Sequence, residues 1–154
     1  MKTALITGAS GGIGKAFAQI FAKNRYNLVL VARSEEKLNR IAKELENQYK
    51  IKAIILVKDL SKPDTASKIY ANIKERGIII DTLINNAGFG DFGAFADEDL
   101  KKVTEMIHLN ITTLTEMTSL FIKDMKARNS GKILNIASTA AFQPLPRFAV
   151  YAAT

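Results

Sequence analysis

The stretch from Lys2 to Gly14, KTALITGASGGIG, narrows the possible folds more than any other part of the chain. Ala4-Leu5-Ile6 is a short apolar run of the kind that forms a strand buried on both faces. The run breaks at Gly8, crosses small residues, and re-enters regular structure at Gly12-Ile13-Gly14. Glycines permit a tight turn and a close approach of backbone to ligand. A helix N-terminus placed after them presents unpaired N–H groups and a partial positive charge. Together these make a cradle for phosphate. The spacing G-x-x-x-G-x-G is a weak signal alone, because glycines also end strands in loops that bind nothing.

The rest of the chain repeats the alternation that this opening starts. Ile13, Phe17, Ile20 and Phe21 recur at helical spacing and predict an amphipathic helix on a sheet. Leu28 to Val31 reads as a second strand, and Ser34 as the N-cap of a helix with the stripe Leu38, Ile41, Ala42, Leu45 and Tyr49. Ile51 to Val57 is a third strand. Ser61-Lys62-Pro63-Asp64 predicts a helix start with proline near the first position, and Gly77 its end. Thr82 to Ile84 is a fourth strand, and Phe89 to Phe95 a loop. Glu98 to Arg128 is too long for one uncapped globular helix, so a break is expected near Asn110. Lys132 to Ala137 is a fifth strand, and a helix opens after Phe148. Such alternation with short connections demands parallel strands and right-handed crossovers, hence a three-layer α/β/α, doubly wound Rossmann sheet. Its ligand belongs at the carboxyl ends of the strands. Residues 1–154 read as one dinucleotide-binding domain.

Composition removes several alternatives. The chain has 154 residues, 47% hydrophobic and 24% charged, which suits a folded domain rather than a disordered one. It has no cysteine and one histidine, His108, so neither a thiolate nor a multi-histidine metal centre is expected. No apolar run is long enough to span a membrane and no secretory leader is evident, so the expected location is the cytoplasm. The net charge of +7 raises a basic nucleic-acid-binding domain as a rival. The charge is interspersed with acids and carries no nucleic-acid motif, and an anionic cofactor is the simpler use of it.

Five spaced signals make the chain similar, over its whole length, to the short-chain dehydrogenase/reductase family. They are TGASGGIG at Thr7 to Gly14, Asp59-Leu60 after the third strand, NNAG at Asn85 to Gly88, Asn110, and Ser138 followed thirteen residues later by Tyr151. The resemblance implies the strand order 3-2-1-4-5, with the last strands of the family fold missing. It implies hydride transfer between NADP(H) and a small-molecule carbonyl or alcohol. Gly8, Ser10, Gly12, Ile13 and Gly14 then cradle the pyrophosphate, Asp59 and Leu60 meet the adenine, and Asn86, Ala87 and Gly88 bound the ribose. Asparagine side chains there can equally brace adjacent strands. Tyr151 donates the proton, Ser138 orients the carbonyl oxygen, and Asn110 holds a water of the proton relay.

Cofactor type is set at the end of the second strand, where an NAD-specific site offers a carboxylate. The stretch here is Val31-Ala32-Arg33-Ser34, with no acid before Glu35. The Arg33 guanidinium can pair with a 2′-phosphate that a carboxylate would repel, so NADP(H) is expected over NAD(H). Lys15 can add positive potential at the turn or face water. The family motif Tyr-x-x-x-Lys calls for lysine at position 155, one past Thr154. The sequence therefore reads as truncated, and nucleotide binding without turnover is the alternative reading. The apolar side of Met106 to Phe121 and the fifth strand are expected to lack partners, and the full-length form to be a homo-oligomer.

Overall fold

The computed structural model describes residues 1–154 as a five-stranded parallel sheet of order β3-β2-β1-β4-β5. The strands are β1 (Thr3–Thr7), β2 (Asn27–Ala32), β3 (Ala53–Val57), β4 (Thr82–Asn85) and β5 (Lys132–Asn135). The helices are α1 (Gly12–Lys23), α2 (Glu35–Tyr49), α3 (Thr65–Glu75), α4 (Leu100–Ile107), α5 (Leu114–Ala127) and α6 (Ala149–Ala153). Alternate residues of the central strands feed two separate cores. Ala4 and Ile6 of β1 and Leu28 and Leu30 of β2 meet Leu38, Ile41 and Leu45 of α2. Leu5, Val29 and Val31 point the other way, toward Ile69 and Ile73 of α3 and Met117 and Phe121 of α5. Continuous apolar strands are what a sheet covered on both faces requires.

The pairing places every strand's carboxyl end along one rim. Leu5 lies beside Val29 and Leu83, Leu30 beside Ile55, and Ile84 beside Leu134. Ser34 caps α2 as expected, its hydroxyl accepting the Lys37 N–H at 3.4 Å. Gly77, at φ +63, follows the last turn of α3.

Three expectations need correction and a fourth is sharpened. On α1 the face against the sheet is Gly14, Ala18 and Ala22, while Ile13 and Ile20 are 60% and 55% exposed. The helix sits so close to β1 that only small residues fit beneath it, and the larger side chains flank the contact. Next, α3 starts at Thr65, two residues past Pro63. Asp64 has turned into the left-handed region at φ 60 and makes no side-chain cap. The break expected near Asn110 is present and takes the form of a π-helical turn, His108–Thr113, between α4 and α5. One residue more per hydrogen-bonded ring is accommodated there, a feature frequent at functional sites. Finally, Met106, Met117 and Phe121 are buried, so the apolar side without a partner is a different stripe, Ile107, Ile111 and Ile122, exposed by 41–49%. β5 does form an edge of the sheet, and Leu134 on it is 42% exposed.

Candidate active site

At the carboxyl rim, the ends of β1 and β4 are tied together by one hydroxyl. Thr7 Oγ1 accepts hydrogen bonds from the N–H groups of Asn86 at 2.9 Å and Ala87 at 3.0 Å. It donates its own proton to the Ile84 carbonyl at 3.3 Å. The Asn86 side chain answers by donating from Nδ2 to the Thr7 carbonyl at 3.0 Å. Asn85 is also a brace, its buried amide donating to Thr118 Oγ1 at 3.0 Å and to Asn135 Oδ1 at 2.9 Å.

That bracing dictates glycine at two places. Gly8 adopts φ +67, and a Cβ on it would stand 2.8 Å from Asn86 Nδ2 and 3.0 Å from the Ala87 Cα. A Cβ on Gly14 would collide with the Gly8 carbonyl oxygen, so this glycine lets the helix seat against the turn and does not line the cleft. Gly12 is different. It has φ +51, and nothing lies within 4 Å of where its Cβ would be. The helix begins from Gly11 with no side-chain cap, so the first-turn N–H groups are left without protein partners. An open, uncapped helix start with room above it fits the pyrophosphate of a dinucleotide.

From this turn a cleft of about 930 Å³ runs along the rim. Ten of the eleven residues expected to bind cofactor line it, from Gly8 to Gly88, with Gly14 the exception. Asp59 sits in the cleft with Oδ1 accepting from the Ser61 N–H at 3.0 Å and the Ser61 hydroxyl at 2.7 Å. Burial alone would push its carboxyl up. The two Ser61 hydrogen bonds, with Arg33 and Lys62 nearby, outweigh burial and hold it below its ordinary value. It is thus an ionised acceptor at neutral pH, suited to an exocyclic amine. The Leu60 carbonyl is taken by the Thr113 hydroxyl at 2.7 Å, which leaves the Leu60 N–H as the main-chain group it can offer. Arg33 is exposed at the mouth of the cleft, beside Ser34, Lys37 and Lys58. Lys15 turns away from the glycine turn toward Glu44 on α2, 3.8 Å distant. Across the cleft, Lys62 reaches Glu105 of α4 at 2.7 Å.

The three residues expected to do the chemistry lie past the Phe89 end of this cleft. Asn110, in the π-helical turn, accepts the Phe89 N–H on Oδ1 at 3.2 Å and donates from Nδ2 to the Phe89 carbonyl at 2.9 Å. The same Nδ2 donates to Thr154 Oγ1 at 2.9 Å, joining the loop after β4 to the end of α6. Tyr151 on α6 is half-buried, its ring so close to Gly90 that a Cβ there would stand 2.9 Å from it. Ser138 opens a 3-10 turn, Thr139–Phe142, that touches α6. Its Oγ accepts the Ala140 N–H at 3.1 Å and so keeps its own proton to give. Around this corner the loop residues pack on one another. Phe92 meets Phe148 at 5.0 Å between ring centroids, and the Arg147 guanidinium lies 4.7 Å over the Phe92 ring.

Sequence reasoning missed Thr7, Ser61, Lys37 and Lys58 as site residues. Thr7 carried a signal, a hydroxyl at the end of a fully buried strand, where a polar group must find a partner. Ser61 carried one too, since a serine two residues past Asp59 can turn its N–H and hydroxyl to that carboxylate, whereas Lys37 and Lys58 depend on neighbours that only the fold supplies.

A parallel, doubly wound sheet with an open glycine turn at its carboxyl rim defines a dinucleotide-binding fold. The profile of one family, described as short chain dehydrogenase, matches residues 2–154, and the chain belongs to that family. Among its relatives, very-long-chain 3-oxoacyl-CoA reductase-A of Danio rerio is 36% identical over 99% of this chain and 49% of its own length. The 17-beta-hydroxysteroid dehydrogenase type 3 of Homo sapiens is 40% identical over 98% of this chain and 49% of its own. The chain thus spans about half the length of these relatives. Among solved structures, a short-chain dehydrogenase from Sphingobium yanoikuyae in complex with NADPH superimposes with a TM-score of 0.93, at 33% identity, over 99% of this chain and 59% of that one. L-sorbose reductase from Gluconobacter frateurii, complexed with NADPH and L-sorbose, gives 0.92 at 30% identity, over 99% and 58%.

Proposed function

We propose that the chain forms the cofactor cleft and the proton-donating corner of an NADP(H)-dependent oxidoreductase acting on a carbonyl or alcohol, with residues 1–154 as one dinucleotide-binding unit. The observation that carries this is the uncapped helix start at Gly11–Gly12 opening into a cleft whose far end holds Arg33 and no acid from β2. The first-turn N–H groups of α1 hold the pyrophosphate, Arg33 the 2′-phosphate, and Asp59 with the Leu60 N–H the adenine. The NADPH named in two neighbouring structures supports the same choice.

The chemistry a bound reduced nicotinamide supplies is a hydride. Tyr151 gives its hydroxyl proton to the carbonyl oxygen, which would otherwise become an alkoxide. Ser138 donates a hydrogen bond to the same oxygen and fixes its position. Asn110 uses both amide hydrogens on Phe89 and Thr154 and one lone pair of Oδ1 on the Phe89 N–H, so it holds the loop and α6 in register and keeps the second Oδ1 lone pair for a relay water. The exposed Phe92, Phe95, Phe142 and Leu145 favour a bulky apolar carbonyl over a sugar. The substrates named in the two curated relatives, a very-long-chain oxoacyl thioester and a steroid, point the same way. The exposed stripe Ile107, Ile111 and Ile122 supports a homo-oligomer.

The test follows NADPH absorbance with acyl and steroid ketones. Tyr151→Phe is expected to lower the ketone-dependent rate by about 100-fold or more. An unchanged rate contradicts the assignment. A second reading, nucleotide binding without turnover, is favoured by one observation, that Asn110, Ser138 and Tyr151 all lie outside the cleft lining. Tight NADPH binding with no ketone-dependent oxidation would select it.

A further inference from the structure

Resting on the NADP(H) reading above, we infer that Lys58 is a specificity-determining residue, a second cation that grips the 2′-phosphate of the adenine nucleotide together with Arg33. The β2–β3 ladder pairs Val31 with Leu56 and Ala32 with Val57. The Lys58 N–H closes the last of these pairs, donating to the Ala32 carbonyl at 3.0 Å. Arg33 and Lys58 are therefore the residues that follow the end of the ladder on two neighbouring strands. Side chains alternate along strands, and those paired in register share a face. Val31 and Leu56 both enter the core under α3 and α5, Lys58 lies two residues past Leu56, and Arg33 stands in the bend that follows β2. Both line the cleft.

Exposure along β3 agrees. Val57 is 41% exposed whereas Lys58 is half-buried, the reverse of what solvation alone would select for a valine and a lysine. The chain leaves this positive charge unspent. None of the four ion pairs, Lys15–Glu44, Lys62–Glu105, Lys74–Asp124 and Lys102–Asp91, uses Arg33 or Lys58. The one carboxylate nearby, Asp59, feels the Arg33 charge but forms no ion pair with it and has committed Oδ1 to Ser61. Two cations lining one cleft without an ion pair leave charge for a dianionic ligand to meet. A phosphate monoester supplies that charge, and a ribose hydroxyl does not.

The experiment is calorimetric titration of the full chain with adenosine 2′,5′-bisphosphate and with AMP, which differ only by the 2′-phosphate. Lys58→Met is expected to weaken the bisphosphate by about three- to tenfold and to leave AMP within about twofold, as befits a partly exposed charge-assisted contact. Lys58→Arg is expected to restore the preference, which separates lost charge from disturbed folding. If Lys58→Met leaves the bisphosphate preference intact while Arg33→Ala abolishes it, the lysine has no part and the NADP(H) reading stands. If the unaltered chain binds both nucleotides equally, the NADP(H) reading falls and the lysine inference with it.

Discussion

The glycine turn and the corner carrying Tyr151 are the two ends of one candidate site, yet they are held by different means. The turn rests on β1 and β2, where Leu5, Ile6, Leu28, Val29 and Leu30 are all at most 1% exposed. It is locked to β4 by the buried Thr7 hydroxyl and the Asn86 amide. The corner rests on β5, where Lys132, Leu134 and Asn135 are exposed, and on a five-residue helix. Its restraints are loop hydrogen bonds from Asn110 and aromatic contacts among Phe92, Phe148 and Tyr151. A phosphate site gains from rigidity, because preorganised N–H donors lose nothing on binding. A substrate corner has to admit its ligand, and low local stability is compatible with that task.

The comparison can be broken by deleting equivalent bulk from each side. Leu5→Ala removes a fully buried side chain and is expected to cost about 2–5 kcal/mol in denaturant unfolding. Leu134→Ala, on the exposed edge, should stay within about 0.5 kcal/mol. Comparable losses would mean that the edge strand is as well packed as the centre. A finer probe is Thr7→Val, which keeps the shape but strands the Asn86 and Ala87 N–H groups, at an expected cost of about 1–3 kcal/mol. Nucleotide affinity should fall with it, since the turn moves with β4. Asn110→Ala should cost about 1 kcal/mol or less, one net set of half-exposed hydrogen bonds. It should nonetheless speed amide exchange at Phe89 and along α6 while leaving β1 and β2 protected. Uniform exchange changes across the sheet would refute the separation of the two regions.

Legibility in the sequence follows the same divide. β1, β2 and α2 could be read because apolar runs, glycine punctuation and the Ser34 cap are local signals that agree with the tertiary outcome. The face of α1 could not, because apolar periodicity counts Ile13 and Ile20 as core. What selects the buried face is how near the backbone comes to Gly8, a distance no periodicity records. The start of α3 was displaced because Asp64 takes a left-handed conformation that its residue type permits but does not require. At Asn110 the helix was visibly too long, but a π-helical turn uses the same residues as an α-helix and leaves no mark in composition. The residues expected to bind cofactor were found as motifs. Lys58 became visible beside Arg33 only once β3 was laid next to β2, and the tie made by Thr7 only once β4 was laid next to β1.

Recognition of a dinucleotide 2′-phosphate by the opening turn and Arg33 is tested by paired titrations of NADPH and NADH. NADPH is expected to bind about tenfold or more tighter than NADH, and Arg33→Ala to remove most of that difference by weakening NADPH alone. Equal affinity for the two, or equal losses of both on Arg33→Ala, would contradict it.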